Sequence, residues 1–237
     1  MRSRYLTGFF TTIVSTIAMA LVAFALATTA AQAKEIKQFS NNIAAKPTIA
    51  SARTILVFGD SLSAGYGVPQ GQGWVALLAQ KLAQNKSNDA SYYNVINASI
   101  SGETTSGGLA RFSAALVSHK PNIVILELGA NDGLRGLPIS EMQSNLSQMV
   151  KQAKTAKVKV LLIGMKIPPN YGLKYSKNFT QMYANIGKQY KIALVPFLLE
   201  GVAGKPTLIQ DDGLHPTAIA QPALLSSVWI QLDGLLK

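Results

Sequence analysis

The chain has 237 residues, a formal net charge of +11 and no cysteine. Its length fits one α/β domain of ordinary size, and the lack of cysteine excludes a thiol nucleophile, a thiolate metal site and a disulfide framework. The basic residues are scattered rather than interleaved with aromatic ones, which argues against nucleic-acid binding but is compatible with a weak contact with an anionic membrane surface.

The first residues have the layout of a secretory signal peptide. Two arginines precede an uncharged, largely apolar stretch over 9–29, and the tripeptide "AQA" follows just before two charged residues. This layout predicts a signal peptide over 1–33, cleaved after Ala33, and export to the periplasm or beyond. A retained membrane anchor is the alternative, because the apolar run is nearly long enough to span a bilayer. Residues 34–52 show no sustained period and are expected to form a flexible leader.

From residue 53 onward, apolar runs rich in β-branched residues alternate with amphipathic segments. The pattern predicts strands at 54–60, 92–99, 122–129, 159–165 and 192–197. It predicts helices at 73–84, 105–118, 140–154 and 175–190, and a closing helix over 218–236. Alternation with short links indicates βαβ units, and so an α/β domain over 53–237 with a parallel sheet and helices on both faces.

Three details of these elements can be checked against the structure. The helix over 105–118 is expected to begin after its glycines. Ser140 is the expected N-cap of the helix over 140–154, because serine is a preferred capping residue. His119 follows a helix and precedes a proline, so we expect it to be a surface or capping residue.

The stretch "FGDSLSAGYG" over 58–67 follows the first predicted strand and contains Ser61. A plain surface turn accounts for its Gly and Asp, whereas a nucleophile at a strand tip accounts for the serine as well. In parallel sheets, functional residues gather outside the carboxyl ends of the strands. Polar loops also follow the next three strands, as "SISGET", "GANDG" and "KIPPNYG". This recurrence favours the nucleophile.

A serine nucleophile needs a base, and His215 in "DDGLHP" is the better of the two histidines. Asp212 lies three positions earlier, where one helical turn would bring the two side chains to the same side. Its carboxylate would then accept from Nδ1–H and leave Nε2 free for Ser61. Pro216 restricts the backbone of His215 to extended geometry. The alternative is an ordinary Asp-Gly turn before a His-Pro helix start.

Three groups are candidates to hold the oxyanion that a serine attack creates. They are the backbone N–H groups of Ser61 and Gly102 and the side-chain amide of Asn131. Glycine at 102 would let its backbone approach a substrate closely. Each loop taken alone also reads as a simple turn that contains glycine.

Four blocks resemble those of the GDSL, or SGNH, hydrolases: "GDSLSAGYG", "SGETTSGG", "LGANDGLRG" and "DGLHP". The resemblance spans about 54–229 and is strongest to the bacterial periplasmic thioesterase I/protease I/lysophospholipase branch, which includes arylesterases. It implies a flavodoxin-like three-layer α/β/α fold. It also implies that Ser61 is the nucleophile, His215 the base and Asp212 the orienting acid, with Ser61, Gly102 and Asn131 forming the oxyanion hole.

The segment "MKIPPNYGLKYS" over 165–176 resembles the mobile substrate loop of that family. The residues expected to contact substrate are Asp132, Leu134, Ile167, Pro168 and Tyr171. A stiff strand–helix connection is the alternative for this segment. The sequence therefore predicts a monomeric serine hydrolase for esters, thioesters or lysophospholipids, with no metal and no cofactor. A carbohydrate O-acetyl esterase and a non-enzymatic lipid-binding module are the rival functions.

Overall fold

The computed structural model describes residues 53–84 and 93–236, so the predicted signal peptide (1–33) and leader (34–52) lie outside the described residues. Within those ranges, five parallel strands form one sheet in the order β2-β1-β3-β4-β5. The strands are β1 (Arg53–Gly59), β2 (Tyr93–Asn97), β3 (Ile123–Glu127), β4 (Lys159–Ile163) and β5 (Ala193–Val195). This flavodoxin-like order confirms the predicted parallel sheet.

Seven α-helices of the described residues connect and cover these strands. They are α1 (Ser61–Ala64), α2 (Trp74–Gln84), α3 (Thr105–His119), α4 (Ala130–Leu134), α5 (Ile139–Thr155), α6 (Leu173–Tyr190) and α7 (Gln221–Leu232). α3, α5 and α6 pack side by side, whereas α2 packs against α7. The helices thus cover the sheet in two groups, one on each face, as the predicted three-layer arrangement requires.

The central strands β1 and β3 are covered on both faces. All five residues of β3 and the last five of β1 are buried. Such strands need continuous apolar sequence, which the runs "ILVF" and "IVIL" supply. Phe58 of β1 meets Phe112 of α3 edge to face, with ring centroids 5.0 Å apart. Burying one such side chain contributes about 1.5–3 kcal/mol, so the strand ends that carry the polar loops are firmly anchored.

The expected start of α3 after its glycines is wrong. The helix begins at Thr105, and the Thr104 hydroxyl caps it by accepting from the N–H of Gly107 at 3.2 Å. Gly108 lies inside the helix, where a Cβ would come within 2.4 Å of Leu128 Cδ1. Glycine serves here to let the helix approach the end of β3 closely, which outweighs its poor helix propensity.

The expected N-cap of α5 at Ser140 is also wrong. The helix begins at Ile139 and its N-cap is Pro138, which has extended backbone angles and makes no side-chain capping bond. The Pro138 carbonyl instead accepts from the N–H groups of Glu141 and Met142, at 3.1 and 3.3 Å. The fixed φ of proline directs the chain into the helix, and Ser140 lies in the first turn.

The other elements agree with the sequence apart from their ends. α6 begins two residues before the predicted position, and the closing segment divides into α7 flanked by 3₁₀ turns at Ala218–Ala220 and Asp233–Leu235. The short helices α1 and α4 were not predicted. His119 is the last residue of α3 and is half-buried, and the C-cap is Lys120 rather than His119. Over 53–84 and 93–236, no helix has both the length and the apolar character needed to cross a membrane.

Candidate active site

Ser61 lies where β1 turns into α1. Asp60 caps the short helix, its Oδ1 accepting from the N–H of Leu62 at 3.0 Å, and Ser61 is the first helical residue. Gly65 ends the helix in the left-handed region, with φ +80°. Ser61 is only 9% exposed, so little of the residue is accessible to solvent. A strand, a cap and one helical turn thus fix the hydroxyl at the carboxyl edge of the sheet.

The structure brings the three predicted triad side chains together. His215 Nε2 lies 2.8 Å from Ser61 Oγ, and His215 Nδ1 lies 2.6 Å from Asp212 Oδ2. Both distances are those of hydrogen bonds. Nδ1–H can therefore donate to the carboxylate while Nε2 accepts from the serine hydroxyl, which is the tautomer that a serine nucleophile requires.

Asp212 also organises the backbone that carries His215. Its Oδ1 accepts from the backbone N–H groups of Leu214 and His215, at 2.9 and 3.0 Å. These bonds, led by the one from the His215 N–H, together with the imidazole, lower the pKa of Asp212 from 3.8 to about 2. The Asp212 carboxylate is thus ionised at neutral pH.

The loop over 208–217 holds the acid and the base as one unit. An antiparallel bridge joins Ile209 to Pro216, and the Gln210 N–H donates to the His215 carbonyl at 2.7 Å. The Gln210 side-chain amide donates to the carbonyls of Tyr66 and Pro216, at 2.9 and 3.0 Å. The Tyr66 ring packs against the imidazole with centroids 4.6 Å apart. This loop is therefore tied to the segment that follows the nucleophile.

Gln221 supports the same loop from beneath. Its buried side-chain amide donates to the Thr217 carbonyl at 3.2 Å, and its Oε1 accepts from the Trp74 N–H at 2.9 Å. α7 thereby joins the loop to α2. Sequence reasoning missed both supporting glutamines. Gln221 could have been noticed as a polar residue at the start of the apolar closing segment. No sequence pattern indicated a role for Gln210.

The three oxyanion candidates line one cavity. Gly102 follows β2 in the left-handed region, with φ +81°, and is exposed, and Asn131 lies in the first turn of α4. Asn131 Nδ2 donates to the Glu103 carbonyl at 3.0 Å and to Asp60 Oδ2 at 3.2 Å. These two acceptors therefore fix the orientation of the Asn131 amide group. A substrate oxyanion would compete for the hydrogen in the longer of the two bonds.

An ion pair anchors the loop that carries Gly102. Arg111 donates to both carboxylate oxygens of Glu103, and its guanidinium lies 3.8 Å from the centroid of the Phe58 ring. From the other side, Arg135 donates to the Gly102 carbonyl at 3.3 Å. Two-point pairing of this kind fixes orientation as well as distance, so the loop after β2 has a defined position beside Ser61.

The cavity has a volume of about 450 Å³. Its polar end is formed by Ser61, Gly102, Asn131 and His215. Its remaining walls are mostly apolar and include Leu134, Met165, Ile167, Pro168, Phe197, Leu199 and Ile209. A few convergent polar groups at one end of an apolar cavity are typical of a small-molecule site. The predicted substrate contacts Leu134, Ile167 and Pro168 thus line the cavity.

The other two predicted substrate contacts lie elsewhere. Asp132 is 2% exposed and accepts from the Thr105 N–H and hydroxyl at 2.8 and 2.6 Å, which fixes the start of α3. Tyr171 belongs to a 3₁₀ turn and is 39% exposed, outside the cavity wall. Asp132 shares a motif with Asn131, but one step along a helix turns its side chain away from the cavity.

A buried carboxyl group, that of Glu127, contacts the residues on either side of the nucleophile. Glu127, the last residue of β3, is fully buried, and its Oε2 accepts from the Ser63 hydroxyl at 2.7 Å and the Asp60 N–H at 3.3 Å. Burial raises the pKa of Asp60 from 3.8 to about 6 and that of Glu127 well above its ordinary value. Sequence reasoning missed Glu127, although a charged residue in the apolar run "IVILEL" was a signal.

Comparison with known proteins places the chain in a family. The sequence pattern of the GDSL-like lipase/acylhydrolase family matches residues 57–221. The chain belongs to this family. Within the described residues, no group of three or more His, Cys, Asp or Glu side chains is arranged to hold a metal ion.

Relatives of known activity agree with this placement. The chain is 50% identical to Esterase TesA of Pseudomonas aeruginosa strain PAO1 over 188 residues, or 79% of this chain and 91% of the relative. It is 42% identical to thioesterase 1/protease 1/lysophospholipase L1 of Escherichia coli strain K12, over 79% of this chain and 87% of the relative. The crystal structure of the psychrotrophic esterase EstA from a Pseudoalteromonas species, inhibited by monoethylphosphonate, matches with a TM-score of 0.73 and 43% identity, over 78% of this chain and 98% of that one.

These matches confirm three of the predictions from sequence. The family, the three-layer α/β fold and the class of enzyme, a serine ester hydrolase, are as expected. These relatives are named as an esterase and as a thioesterase and lysophospholipase, activities on the acyl substrates expected from the sequence.

Proposed function

We propose that this protein hydrolyses carboxylic esters and thioesters of fatty acyl groups, including lysophospholipids, through an acyl-enzyme on Ser61. The observation that carries the proposal is the hydrogen-bonded line from Asp212 through His215 to Ser61, which ends in an apolar cavity. The polar end supplies the chemistry, and the apolar walls supply a place for an acyl chain.

The proposed reaction begins with attack of Ser61 Oγ on the acyl carbonyl carbon while His215 Nε2 takes the serine proton. The N–H groups of Ser61 and Gly102 and the Asn131 amide hold the oxyanion that forms. His215 then returns the proton to the leaving alcohol or thiol, and the C–O or C–S bond breaks. A water molecule, deprotonated by the same imidazole, hydrolyses the acyl-enzyme and restores the serine. Asp212 keeps the imidazole in the required tautomer throughout.

The size and lining of the cavity favour an acyl chain over an acetyl group. About 450 Å³ falls within the range of sites that enclose a drug-sized ligand. Each CH₂ group that enters such a wall gains about 0.8 kcal/mol, a factor of about four in kcat/KM. A carbohydrate O-acetyl esterase would have no use for these apolar walls. The relatives named as a thioesterase and lysophospholipase point the same way.

The test is hydrolysis of p-nitrophenyl esters from acetate to palmitate by the wild type, by Ser61→Ala and by Ser226→Ala. Ser226 is an exposed serine on α7 whose hydroxyl donates to the Pro222 carbonyl, so its variant controls for loss of a hydroxyl elsewhere. We expect turnover that rises with chain length until the cavity is full, vanishes in Ser61→Ala and persists in Ser226→Ala. A fluorophosphonate probe should add its mass to the wild type and to Ser226→Ala only.

Each rival function has its own outcome in this experiment. Turnover confined to acetate would replace the proposal with the O-acetyl esterase. Saturable binding of fatty acid without turnover or phosphonate labelling would replace it with the lipid-binding module. Equal rates for Ser61→Ala and the wild type would rule out Ser61 as the nucleophile.

We further propose that the protein is exported to the periplasm as a monomer and makes weak contact with anionic membranes. The signal-peptide layout of residues 1–33 and the net charge of +11 support this. So do the exposed apolar side chains of Tyr66 and Leu214 at the cavity mouth. N-terminal sequencing of the periplasmic fraction should begin after Ala33, and light scattering should give a monomer mass. Binding to phosphatidylglycerol vesicles should fall as salt rises.

A further inference from the structure

The buried face of the nucleophile turn holds two carboxyl groups side by side. Asp60 directly follows β1, Glu127 ends the adjacent strand β3, and both side chains are fully buried. Asp60 is well supplied with donors: Oδ1 accepts from the Leu62 N–H and Oδ2 from the Asn131 amide. This is the environment of a carboxylate that caps a helix.

Glu127 has a different environment. Its Oε2 accepts from the Ser63 hydroxyl and the Asp60 N–H, but its buried Oε1 has no hydrogen-bond partner among the described residues. The two carboxyl groups are buried next to each other, since Glu127 pairs with Gly59 across the strands and its Oε2 accepts from the Asp60 N–H. Two carboxylates cannot share a hydrogen bond, because neither carries a hydrogen. A proton on one of them removes the repulsion between two buried like charges, and the donors around Asp60 leave Glu127, with its unpaired Oε1, as the group that holds it.

The other groups around the pair support this distribution of charge. Tyr183 reaches in from α6, is fully buried and donates its hydroxyl to the Leu128 carbonyl at 3.0 Å, so it offers no donor to Glu127. The charge of Asp132 disfavours an ionised Asp60, but the opposite effect of His215, on the other side of the nucleophile, is the larger of the two. Burial and the Asp60 charge both raise the pKa of Glu127, in the same direction as the geometry.

We propose that Glu127 is a positioning residue that acts as a neutral carboxylic acid, donating a hydrogen bond to the Asp60 carboxylate and thereby fixing the nucleophile helix and the Asn131 amide. The inference rests on the proposed role of Asn131 in the oxyanion hole. A neutral Glu127 also keeps the pair at one negative charge instead of two, directly beneath the place where the oxyanion forms. Both effects favour the transition state over the bound ester.

The test compares two replacements of nearly equal size. Glu127→Gln keeps a neutral group with an N–H that can donate to Asp60 and an oxygen that can accept from Ser63. Glu127→Met keeps the volume and loses both. We expect Glu127→Gln to retain kcat within about threefold, and Glu127→Met to lower kcat about 10–100-fold, below the 10²–10³-fold loss for a missing oxyanion donor. KM should change less than threefold in both variants.

A matched control removes the same charge from an exposed position. Glu141 lies in the first turn of α5 and is exposed, so Glu141→Gln should behave as the wild type. Infrared difference spectra at neutral pH provide a readout that a merely structural role would not move. The wild type minus Glu127→Gln should show the C=O stretch of a protonated carboxyl group, and the wild type minus Glu141→Gln should show carboxylate bands instead.

Two results would overturn the proposal. If Glu127→Gln lost as much kcat as Glu127→Met, or if the protonated C=O band were missing, Glu127 would act as a carboxylate. If Glu127→Met kept full kcat, Glu127 would position nothing. The infrared comparison needs no turnover and no Met variant, so it still decides if Glu127→Met fails to fold. Loss of the proposed function itself would appear separately, as absence of Ser61-dependent hydrolysis by the wild type.

Discussion

The nucleophile and the acid–base pair are held in place by different forces. Ser61 lies on a turn that continues a buried strand and has a buried carboxyl pair beneath it. Asp212 and His215 lie on a partly exposed loop that backbone hydrogen bonds and one β-bridge hold together. The position of the nucleophile therefore depends on the folded core, whereas that of the base depends on local bonds. Variants of the two regions should separate activity from stability.

The largest effect is expected from Asp212→Asn on the exposed loop. The amide keeps the shape of the side chain but cannot hold Nδ1–H in the required tautomer, and such a change costs about 10⁴-fold in kcat in serine proteases. We expect a loss of this order with Tm unchanged within about 2 °C. Asp211→Asn, one position earlier and exposed, is the control and should keep full activity. A large fall in Tm for Asp212→Asn would contradict the separation of the two regions.

Asn131→Ala tests the oxyanion hole, because Asn131 bonds to Asp60 in the buried region and lines the cavity together with His215. Removing one oxyanion donor costs about 10²–10³-fold in kcat, and the amide donates to Asp60 and to the Glu103 carbonyl. We expect a loss in that range with little change in KM, measured by steady-state hydrolysis of a medium-chain ester. An unchanged kcat would leave the oxyanion to the two backbone N–H groups alone.

Gly59→Ala should break the buried region. A Cβ there would lie 2.6 Å from Glu127 Oε2 and 2.8 Å from the Glu127 backbone oxygen, and the backbone of a central strand cannot move away. Overpacking of this kind costs about 1–3 kcal/mol in the free energy of unfolding, to be measured by urea denaturation. Gly234→Ala, where a Cβ would meet nothing within 4 Å, is the control and should unfold as the wild type.

The smallest effect concerns pH and the buried carboxyl pair. Because burial raises the pKa of Glu127 above its ordinary 4.5, the unfolded chain releases above pH 4.5 a proton that the folded chain retains. Wild-type stability therefore falls as pH rises from 4.5 to the folded pKa, and Glu127→Gln lacks this loss. Each pKa unit corresponds to about 1.4 kcal/mol in the free energy of unfolding, or about 3–6 °C in Tm. The Tm of the variant relative to the wild type should rise from pH 4 to 8; a constant difference would contradict the assignment.

The sequence predicted the sheet and the place of the site well because both depend on local patterns. Apolar runs mark strands buried on both faces, and polar loops after those runs must meet at one edge of a parallel sheet. Ser61 and Asn131 were predicted in this way. Asp212 and His215 were predicted because a spacing of three residues is enough to bring the two side chains into contact.

The sequence did not predict features that depend on contacts between distant elements. Gly108 belongs to a helix because β3 passes close to it, and Pro138 caps α5 where a serine two residues later was the local choice. Glu127 lies 67 positions from Asp60 and 64 from Ser63, so no local pattern connects them. Asp132 shares a motif with Asn131, yet only the three-dimensional turn of α4 shows that it points away from the cavity.

The Ile209–Pro216 bridge closes the loop that carries both Asp212 and His215. The 2.6 Å contact between these two side chains therefore forms within the loop, whereas the 2.8 Å contact between His215 Nε2 and Ser61 Oγ crosses from the loop to the strand end. The effective concentration of the base at the serine is thus set by how firmly the loop is held against the end of β1.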